Sequence, residues 1–213
     1  MNSDRNTISI IDYGVGNLKS VYNAMKFLGK TPIFIKNPEE LLKSHSVILP
    51  GVGAFKKGME GLGENNMDEA IINYVEAGGK LLGICLGMHL LMKESEEFSI
   101  NPGLNLLSGR VVSIKSFKGF DDKQYKLPHV GWNNINKYKK ANRLLDYKDK
   151  SEVYFIHSFA VQSEETNNVL FMTEYGGAKF CSGIQYNNIT AFQFHPEKSG
   201  IAGLRLLEKI LNN

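Results

Sequence analysis

The first half of the sequence alternates short apolar runs with helix-like segments, and this alternation constrains the fold more than any other feature. Apolar side chains recur at helical spacing over residues 18–28 and 67–77. Around these segments, four runs are typical of β-strands: 7–11, 31–35, 46–51 and 80–84. The order of the segments predicts a doubly wound α/β fold around a parallel sheet.

The second half has a different pattern, in which strand-like runs follow one another with short turns between them. The predicted strands are GRVVSI, HVGWNNI, VYFIHSFAV, NVLFMTEY, KFCSGIQY and TAFQF. They are expected to lie on or beside the same sheet, and a last amphipathic helix is predicted over 201–211. No repeat or linker separates the two halves, so residues 1–213 are predicted to form a single domain.

Charge and hydropathy exclude two kinds of partner. The 213 residues carry a net charge of +3 with scattered lysines, so no nucleic-acid partner is expected. The densest basic stretch, 136–140, is predicted to be a solvated turn. The longest apolar stretch, 81–92, is too short to cross a membrane, which needs about 20 residues, so no membrane contact is expected either.

The cysteines and the N-terminus indicate the compartment. The first ten residues contain no apolar secretory segment. Two cysteines, Cys85 and Cys181, are too few for a secreted disulfide framework. A reducing, cytoplasmic location is therefore expected, in which the thiol of Cys85 is free to react.

The stretch GICLGMHLL, residues 83–91, contains the first candidate site. An apolar strand runs directly into Cys85 between glycines, which is the pattern of a nucleophile elbow at a strand-to-helix turn. A cysteine at a helix N-terminus gains thiolate character. Free cysteine is also among the most buried residue types, so this stretch alone leaves Cys85 either a nucleophile or a core residue. His89 is a candidate base within the same stretch.

The stretch FQFHPEKS, residues 192–199, contains the second candidate site. A predicted strand ends at His195, Pro196 breaks it, and Glu197 follows. In an extended segment the side chains of His195 and Glu197 point the same way, so the carboxylate can hold the imidazole in one tautomer. The alternative is an ordinary surface turn. Together with an elbow cysteine, the stretch favours a Cys-His-carboxylate set.

Two glycine-rich loops were considered as binding sites. LPGVGAF, residues 49–55, leaves backbone N–H groups accessible, either for a developing oxyanion or as an ordinary turn. DYGVGNLKS, residues 12–20, lacks the glycines of a dinucleotide fingerprint and the Gly-Lys-Ser/Thr of a P-loop. The five histidines and two cysteines show no zinc-ligand spacing. Neither a metal nor an organic cofactor is therefore expected.

These motifs occur in an order that resembles the class I, or triad, glutamine amidotransferases. The resemblance extends nearly end to end through IDYGVGNLKSV, PGVGAF, GICLGM, SEEF, GRVV, PHVGWN, VYFIHSF, TEYG and FQFHPEKSGIAGLRLL. It implies a flavodoxin-like α/β fold, with a central, mostly parallel sheet and additional antiparallel strands in the C-terminal half. It also implies hydrolysis of glutamine to glutamate and ammonia, with Cys85 as nucleophile, His195 as base and Glu197 orienting His195.

The resemblance assigns further residues to the site. The oxyanion would bind the backbone N–H groups of Leu86 and Val52, in a loop that in this family often forms only when a partner is bound. Five residues match positions of the glutamine pocket: Gly53, Glu97, Ser158, Phe159 and His89, with His157 beside them. The family has glutamine where this chain has His89. An imidazole has no carbonyl oxygen but can donate, and as imidazolium it could face a carboxylate.

The resemblance also implies a partner. In the subgroup that this sequence matches, ammonia passes to a (β/α)₈ synthase subunit of histidine biosynthesis, and Asn17, Trp132 and Lys198 match interface positions. Because His89 departs from the pattern, a paralogue that supplies ammonia for amidation of a nucleotide-activated surface sugar is the alternative. A non-catalytic partner-binding subunit is a third hypothesis, against which the retained Cys85, His195 and Glu197 argue.

Overall fold

The computed structural model describes residues 6–138 and 151–212, which share one mixed sheet. Its parallel part has the strand order β2-β1-β3-β4-β13. These strands are β1 (Thr7–Ile11), β2 (Thr31–Ile35), β3 (Ser46–Leu49), β4 (Lys80–Ile84) and β13 (Ile189–Phe192). The last strand in the sequence therefore lies beside β4, and this pairing brings the end of the chain next to the Cys85 segment.

Six helices are present in the described residues, and they cover both faces of the parallel strands. They are α1 (Leu18–Phe27), α2 (Pro38–Leu42), α3 (Phe55–Gly63), α4 (Met67–Glu76), α5 (Leu86–Leu90) and α6 (Gly200–Asn212). The side chain of Asn17 accepts the N–H of Ser20 and caps α1, and Gly29 follows its end at φ 73°. These two residues set the ends of the helix.

Strands in the C-terminal half extend the sheet beyond β13. In order they are β5 (Met92–Ser95), β6 (Asn101–Pro102), β7 (Leu107–Ser113), β8 (His129–Lys137), β9 (Ser151–His157), β10 (Phe159–Ser163), β11 (Val169–Tyr175) and β12 (Ala178–Tyr186). The path continues β13-β12-β10-β7-β5-β6, and β11, β8 and β9 branch from β12. Most of these pairings are antiparallel, so the predicted mixed sheet is confirmed.

The core has two parts, one on each face of the parallel strands. Side chains of α1 and α6 pack with Ile8 and Ile10 on one face, while α3, α4 and α5 pack with Ile11 and Leu49 on the other. Successive strand residues point to opposite faces and both faces are covered, which explains the continuous apolar runs. This layered core gives a rigid base to the loops at the carboxyl ends of the strands, where Cys85 and His195 lie.

Three expectations about the elements are wrong in detail. The run VYFIHSFAV is two strands, β9 and β10, interrupted at Ser158. The strand predicted to reach His195 ends at Phe192, because Pro196 starts a 3₁₀ turn and the residues between bend. The turn predicted over 136–140 begins inside β8, which continues to Lys137, while 139 and 140 lie outside the described residues. No helix in 6–138 or 151–212 is long and apolar enough to cross a membrane.

Candidate active site

Cys85 lies at a sharp turn between β4 and α5. Its φ of 54° is unusual for a residue other than glycine, and its N–H donates to the carbonyl of Phe192 on β13 at 2.7 Å. Such strained backbone geometry persists only where the surrounding structure enforces it. The elbow predicted from GICLGM is therefore present in the structure.

The glycines around Cys85 are required by close packing. A Cβ at Gly87 would collide with the carbonyl oxygen of Leu49, and one at Gly83 would lie 2.9 Å from a methyl group of Leu91. Any larger residue would push α5 away from the sheet. The tight approach holds the N-terminus of α5, and with it Cys85, against β3 and β4.

His195 and Glu197 form a buried pair. The Nδ1 of His195 lies 2.8 Å from Oε1 of Glu197, and each side chain is 2% exposed. Because a carboxylate can only accept, Nδ1 donates and Nε2 is directed elsewhere. Glu197 lies in the 3₁₀ turn Pro196–Lys198, not in an extended segment. The predicted contact is therefore made by a different backbone geometry from the one expected.

The environment of His195 stabilises its protonated form. Burial by itself lowers the pKa of this imidazole, but the neighbouring Cys85 and Glu197 outweigh it and raise the pKa to about 10. Nε2 is buried and makes no hydrogen bond to another described residue, although its ring interacts with Cys85. The thiol of Cys85 faces the carbonyl of Ile156 at 3.9 Å. Cys85 and His195 are thus neighbours without a closed hydrogen bond between them.

Ser199 holds this arrangement and was not identified from the sequence. Its hydroxyl donates to the carbonyl of His195 at 2.6 Å and accepts the N–H of Tyr154 at 2.9 Å. The N–H of His195 donates in turn to the carbonyl of Tyr154. The residue lies within FQFHPEKS, but a serine after a charged pair gives no sequence signal that distinguishes a buried clamp from a surface hydroxyl.

One of the two predicted oxyanion donors, the N–H of Leu86, is engaged in this structure. The N–H of Leu86 donates to the carbonyl of Gly51 at 3.4 Å. The hydroxyl of Tyr13 donates to the carbonyl of Pro50 at 2.6 Å, and a Cβ at Gly51 would collide with this hydroxyl. Burial, and then Cys85, raise the pKa of Tyr13, so its hydroxyl stays a donor. Gly51 is therefore packed closely between Tyr13 and Leu86, and its carbonyl accepts the N–H of Leu86.

His89 lies in the interior and is uncharged. It is 6% exposed, and its Nε2 donates to Oε1 of Gln193 at 2.7 Å, while Nε2 of Gln193 is buried without a partner among the described residues. Burial lowers the pKa of His89 to about 4 despite this hydrogen bond. The lowered pKa favours a neutral ring at neutral pH, so the expectation of an imidazolium that faces a substrate carboxylate is not supported. The candidate base beside Cys85 is His195 rather than His89.

Glu97 and Gly53 both lie near the start of α3. Oε2 of Glu97 accepts the N–H of Phe55 at 2.6 Å, which caps α3, since Ala54 at its N-cap has no side-chain acceptor. Gly53 is exposed, with φ 115°. Glu97 is half-buried, and its Oε1 remains available to a ligand.

The other predicted pocket residues lie at the break between β9 and β10. Ser158 and Phe159 are half-buried. The side chain of His157 has both nitrogens engaged within the protein: Nδ1 with the carbonyl of Phe159 at 2.8 Å and Nε2 with Nδ1 of His129 at 3.1 Å. His157 thus has no ring nitrogen free for a substrate, contrary to its expected place in the pocket.

The predicted interface residues share one region beside the triad. Trp132 is 55% exposed and packs edge-on against Tyr154, with ring centroids 6.2 Å apart, and Nζ of Lys198 lies 6.0 Å from the same tyrosine ring. Asn17 is exposed at the start of α1, which packs against the 3₁₀ turn containing Lys198. Tyr154 and Lys198 therefore connect this surface region to His195.

The side chains that could ligate a metal are dispersed in the described part of the chain. Within 6–138 and 151–212, no three histidine, cysteine or acidic side chains are grouped so that they could hold a metal ion. Both cysteines are unpaired and buried. The groups described at the site are a thiol, an imidazole, a carboxylate and backbone amides.

The class I glutamine amidotransferase model matches residues 9–212, which include the elbow, the His195–Glu197 pair and the Gly51 loop. The chain therefore belongs to the class I glutamine amidotransferase family. It is also similar to imidazole glycerol phosphate synthase subunit HisH of Chlorobium chlorochromatii, with 42% identity over 94% of this chain and 96% of the relative. The HisH subunit of Chlorobaculum tepidum is 40% identical over 94% of this chain and 97% of its own length.

Solved structures agree on the fold. A structure described as a glutamine amidotransferase superposes with a TM-score of 0.73 at 18% identity, covering 97% of this chain and 99% of the other. PurLQS from Thermotoga maritima gives a TM-score of 0.72 at 18% identity, covering 97% of each chain. At these identities the likeness establishes the architecture, while the HisH relatives establish the branch of the family.

Proposed function

We propose that this chain is the glutaminase subunit of an imidazole glycerol phosphate synthase, in which Cys85, His195 and Glu197 hydrolyse glutamine for histidine biosynthesis. The observation that carries the proposal is the buried His195–Glu197 pair placed beside a cysteine on a strained elbow. Membership of the amidotransferase family and full-length similarity to HisH subunits support the substrate and the pathway.

The geometry supports a two-step reaction. Sγ of Cys85 attacks the side-chain amide carbon of glutamine, the C–N bond breaks, and the His195 imidazolium gives its proton to the leaving ammonia. A water molecule then attacks the thioester, His195 takes a proton from it, and glutamate leaves as the thiol is restored. Glu197 keeps Nδ1 of His195 protonated throughout, so that only Nε2 exchanges protons with Cys85, ammonia and water.

The oxyanion of each proposed step needs N–H donors, and in the described state the N–H of Leu86 is engaged with Gly51. Leu86 donates to Gly51, so the Gly51–Val52 peptide must turn before the N–H groups of Leu86 and Val52 can both point at the oxyanion. We therefore propose that this chain rests in a low-activity state. A partner that contacts Asn17, Trp132 and Lys198 would favour the turned peptide.

The proposed partner is a (β/α)₈ synthase subunit that receives the ammonia. Support comes from the names of the relatives, which are subunits of a synthase, and from the exposed Trp132 beside the triad. An exposed aromatic ring is typical of an interface anchor. A cytoplasmic location belongs to the same proposal, because a nucleophilic thiol must stay reduced.

The surface-sugar alternative depended on His89, and the structure gives it no further support. His89 is inside the protein and bonded to Gln193, so its substitution for glutamine is accommodated within the core. The relatives described above are imidazole glycerol phosphate synthase subunits. Histidine biosynthesis is therefore the function that we propose.

The test is a glutaminase assay of the chain with its co-expressed synthase subunit, comparing wild type with Cys85→Ala and Cys181→Ala. Both cysteines are buried and unpaired, which makes Cys181 a matched control. We expect glutamate release to disappear in Cys85→Ala and to persist in Cys181→Ala. Equal ammonia release by wild type and Cys85→Ala would refute the catalytic proposal. If the wild-type chain were active only with a synthase subunit other than that of histidine biosynthesis, the proposed pathway would be refuted.

A further inference from the structure

Two of the four buried histidines form a pair that has no part in the proposed mechanism. His129 on β8 and His157 on β9 are directly opposite each other in an antiparallel pair, and they are 3% and 6% exposed. Their rings meet through Nδ1 of His129 and Nε2 of His157 at 3.1 Å. A buried polar contact of this kind is retained only if its hydrogen bonds are satisfied at both ends.

The groups at both ends fix the direction of every hydrogen bond. The carbonyl of Phe159 can only accept, so Nδ1 of His157 donates to it at 2.8 Å. Nε2 of a neutral His157 then accepts from Nδ1 of His129. Nε2 of His129 must in turn accept, and it does so from Nδ2 of Asn133 at 3.3 Å. The same amide donates to the carbonyl of Glu174 at 2.9 Å, which fixes the orientation of Asn133.

Both rings are therefore neutral and carry their proton on Nδ1. A proton added to Nε2 of His157 would point at the N–H of His129, so the chain of hydrogen bonds would break. Burial lowers the pKa of His129 to about 4 and that of His157 well below its ordinary value. The other titratable groups that act on His157 are His89 and His195, whose positive charge would also disfavour its protonation.

The chain of hydrogen bonds ends at the break between β9 and β10. Ser158 belongs to neither strand: its carbonyl accepts the N–H of Ile114 at 3.0 Å, and within the described residues its own N–H makes no hydrogen bond. Phe159 is held from the other side by His157. The free N–H of Ser158 is thus presented at a backbone position fixed by two hydrogen bonds.

We propose that His129 is a positioning residue that, by donating to His157, fixes the Ser158–Phe159 backbone for binding glutamine. The inference rests on the proposed function, since it is the family resemblance that assigns Ser158 and Phe159 to the glutamine pocket. His129 is suited to this role because its ring is stacked between Phe155 and Tyr175, with centroid distances of 4.9 and 4.0 Å. Stacking on both faces leaves the ring no freedom to turn its N–H away from His157.

Two substitutions at His129 separate its hydrogen bond from its packing. The Nδ2 of an asparagine lies close to the place of the imidazole Nδ1, so His129→Asn keeps a donor for His157 but loses the stacked ring. His129→Phe keeps the stacking between Phe155 and Tyr175 but has no donor. Loss of one buried hydrogen bond is worth about a tenfold change in an equilibrium constant. The experiment measures KM and kcat for glutamine in the synthase complex, with melting temperature alongside.

We expect His129→Phe to raise KM about tenfold with kcat within about twofold of wild type, and His129→Asn to stay within about threefold in both. The melting temperatures should follow the opposite order, with the asparagine variant less stable. A wild-type KM in His129→Phe, or KM values that follow the melting temperatures, would overturn the proposal. Failure of the proposed function is distinct from this result, because the wild-type complex would then show no glutaminase activity.

A second measurement does not depend on activity or on folding of the variants. Nitrogen-15 spectra of the wild-type imidazole rings report the tautomer and charge of each histidine. Both His129 and His157 should be neutral Nδ1–H tautomers from pH 8 down to pH 5. An Nε2–H tautomer or a charged ring at either residue in that range contradicts the inferred chain of hydrogen bonds.

Discussion

The backbone N–H of Leu86 donates to the carbonyl of Gly51 at 3.4 Å, immediately after the nucleophile. In an active glutaminase the same N–H would serve the oxyanion, so this contact and catalysis compete. Because this hydrogen bond is long, it is weak. In the proposed mechanism, activation would require only that the Gly51–Val52 peptide turn, and the side chains that pack against this peptide would determine how readily it does so.

Tyr13→Phe should raise the glutaminase activity of the isolated chain. The Tyr13 hydroxyl holds the carbonyl of Pro50 at 2.6 Å, and it packs against Gly51. Removing one buried hydrogen bond changes the balance by about 1 kcal/mol, which corresponds to a roughly fivefold larger population of the turned peptide. We expect about that increase in kcat without partner, and little change in the complex, where the peptide is already turned.

Tyr74→Phe is the matched control for this change. The Tyr74 hydroxyl also donates to backbone carbonyls, those of His45 and Lys80, at the opposite end of the sheet. Its removal should lower stability without altering basal activity. If Tyr13→Phe leaves the activity of the isolated chain unchanged or reduces it, Tyr13 does not restrain the oxyanion loop.

Glu197→Gln should reduce kcat by at least about 100-fold and lower the kinetic pKa of His195. Glu197 is one of the groups that raise the pKa of His195 to about 10, so without its charge the imidazolium forms less readily. The pH profile of glutamate release in the complex measures this shift. Glu60→Gln, on the exposed face of α3, is the control and should behave as wild type. An unshifted alkaline limb in Glu197→Gln would mean that Glu197 does not set the protonation of His195.

The parallel strands and the triad could be predicted because each depends on local signals. The runs at 7–11, 31–35 and 80–84 match β1, β2 and β4 residue for residue, since short β-rich runs bounded by turn residues specify strands without help from distant contacts. Predicting that Cys85 and His195 lie close together required one further fact, which is that β4 and β13 are adjacent. The order of motifs in the family resemblance supplied that fact, whereas spacing alone does not.

The features that could not be predicted depend on long-range contacts. His129 and His157 read as strand residues, and only the register of β8 against β9 shows that their rings meet. Glu97 caps α3 from 42 residues away, and α3 itself was not predicted because its glycines obscure the apolar pattern. His89 was expected at the substrate, yet its hydrogen bond to Gln193 spans 104 residues. No local pattern encodes such pairs.

Trp132→Ala should weaken binding of the synthase subunit. A large exposed ring in the centre of an interface contributes about 2 kcal/mol or more, so we expect the dissociation constant to rise at least about 30-fold. Tyr186→Ala is the control, because Tyr186 is also an exposed aromatic, at the far end of the sheet from the triad. Titration calorimetry of the separately purified subunits measures both. Equal affinity of wild type and Trp132→Ala would place the interface elsewhere.

Glu97 allows substrate binding and helix capping to be separated. Glu97→Ala should lower the free energy of unfolding by about 1 kcal/mol, because the N–H of Phe55 at the start of α3 loses its acceptor. Glu97→Gln retains an oxygen acceptor and should be nearly as stable as wild type. If the carboxylate also binds the amino group of glutamine, both variants raise KM. An increase in KM only in the alanine variant would indicate that capping is the sole role of Glu97.

His89→Gln should make the protein more resistant to acid while leaving KM for glutamine unchanged or lower. The pKa of His89 is about 4 in the folded chain and near 6.5 when unfolded, so between these values the unfolded state binds a proton that the folded state does not. Stability from this group is therefore lost as pH falls from 6.5 towards 4. His129 and His157 act in the same direction in both proteins and cancel in the comparison.

The measurement is the free energy of unfolding of wild type and His89→Gln from pH 7 to pH 4.5. Their difference should shift steadily in favour of the glutamine variant below pH 6.5, approaching about 3 kcal/mol near pH 4 because each pKa unit corresponds to about 1.4 kcal/mol. His195 contributes nothing to this window, since its pKa is raised and its stabilisation is complete below pH 6.5. A difference that does not change with pH would show that His89 titrates normally and is not held neutral against Gln193. A large rise in KM would show instead that the pocket is built around the imidazole.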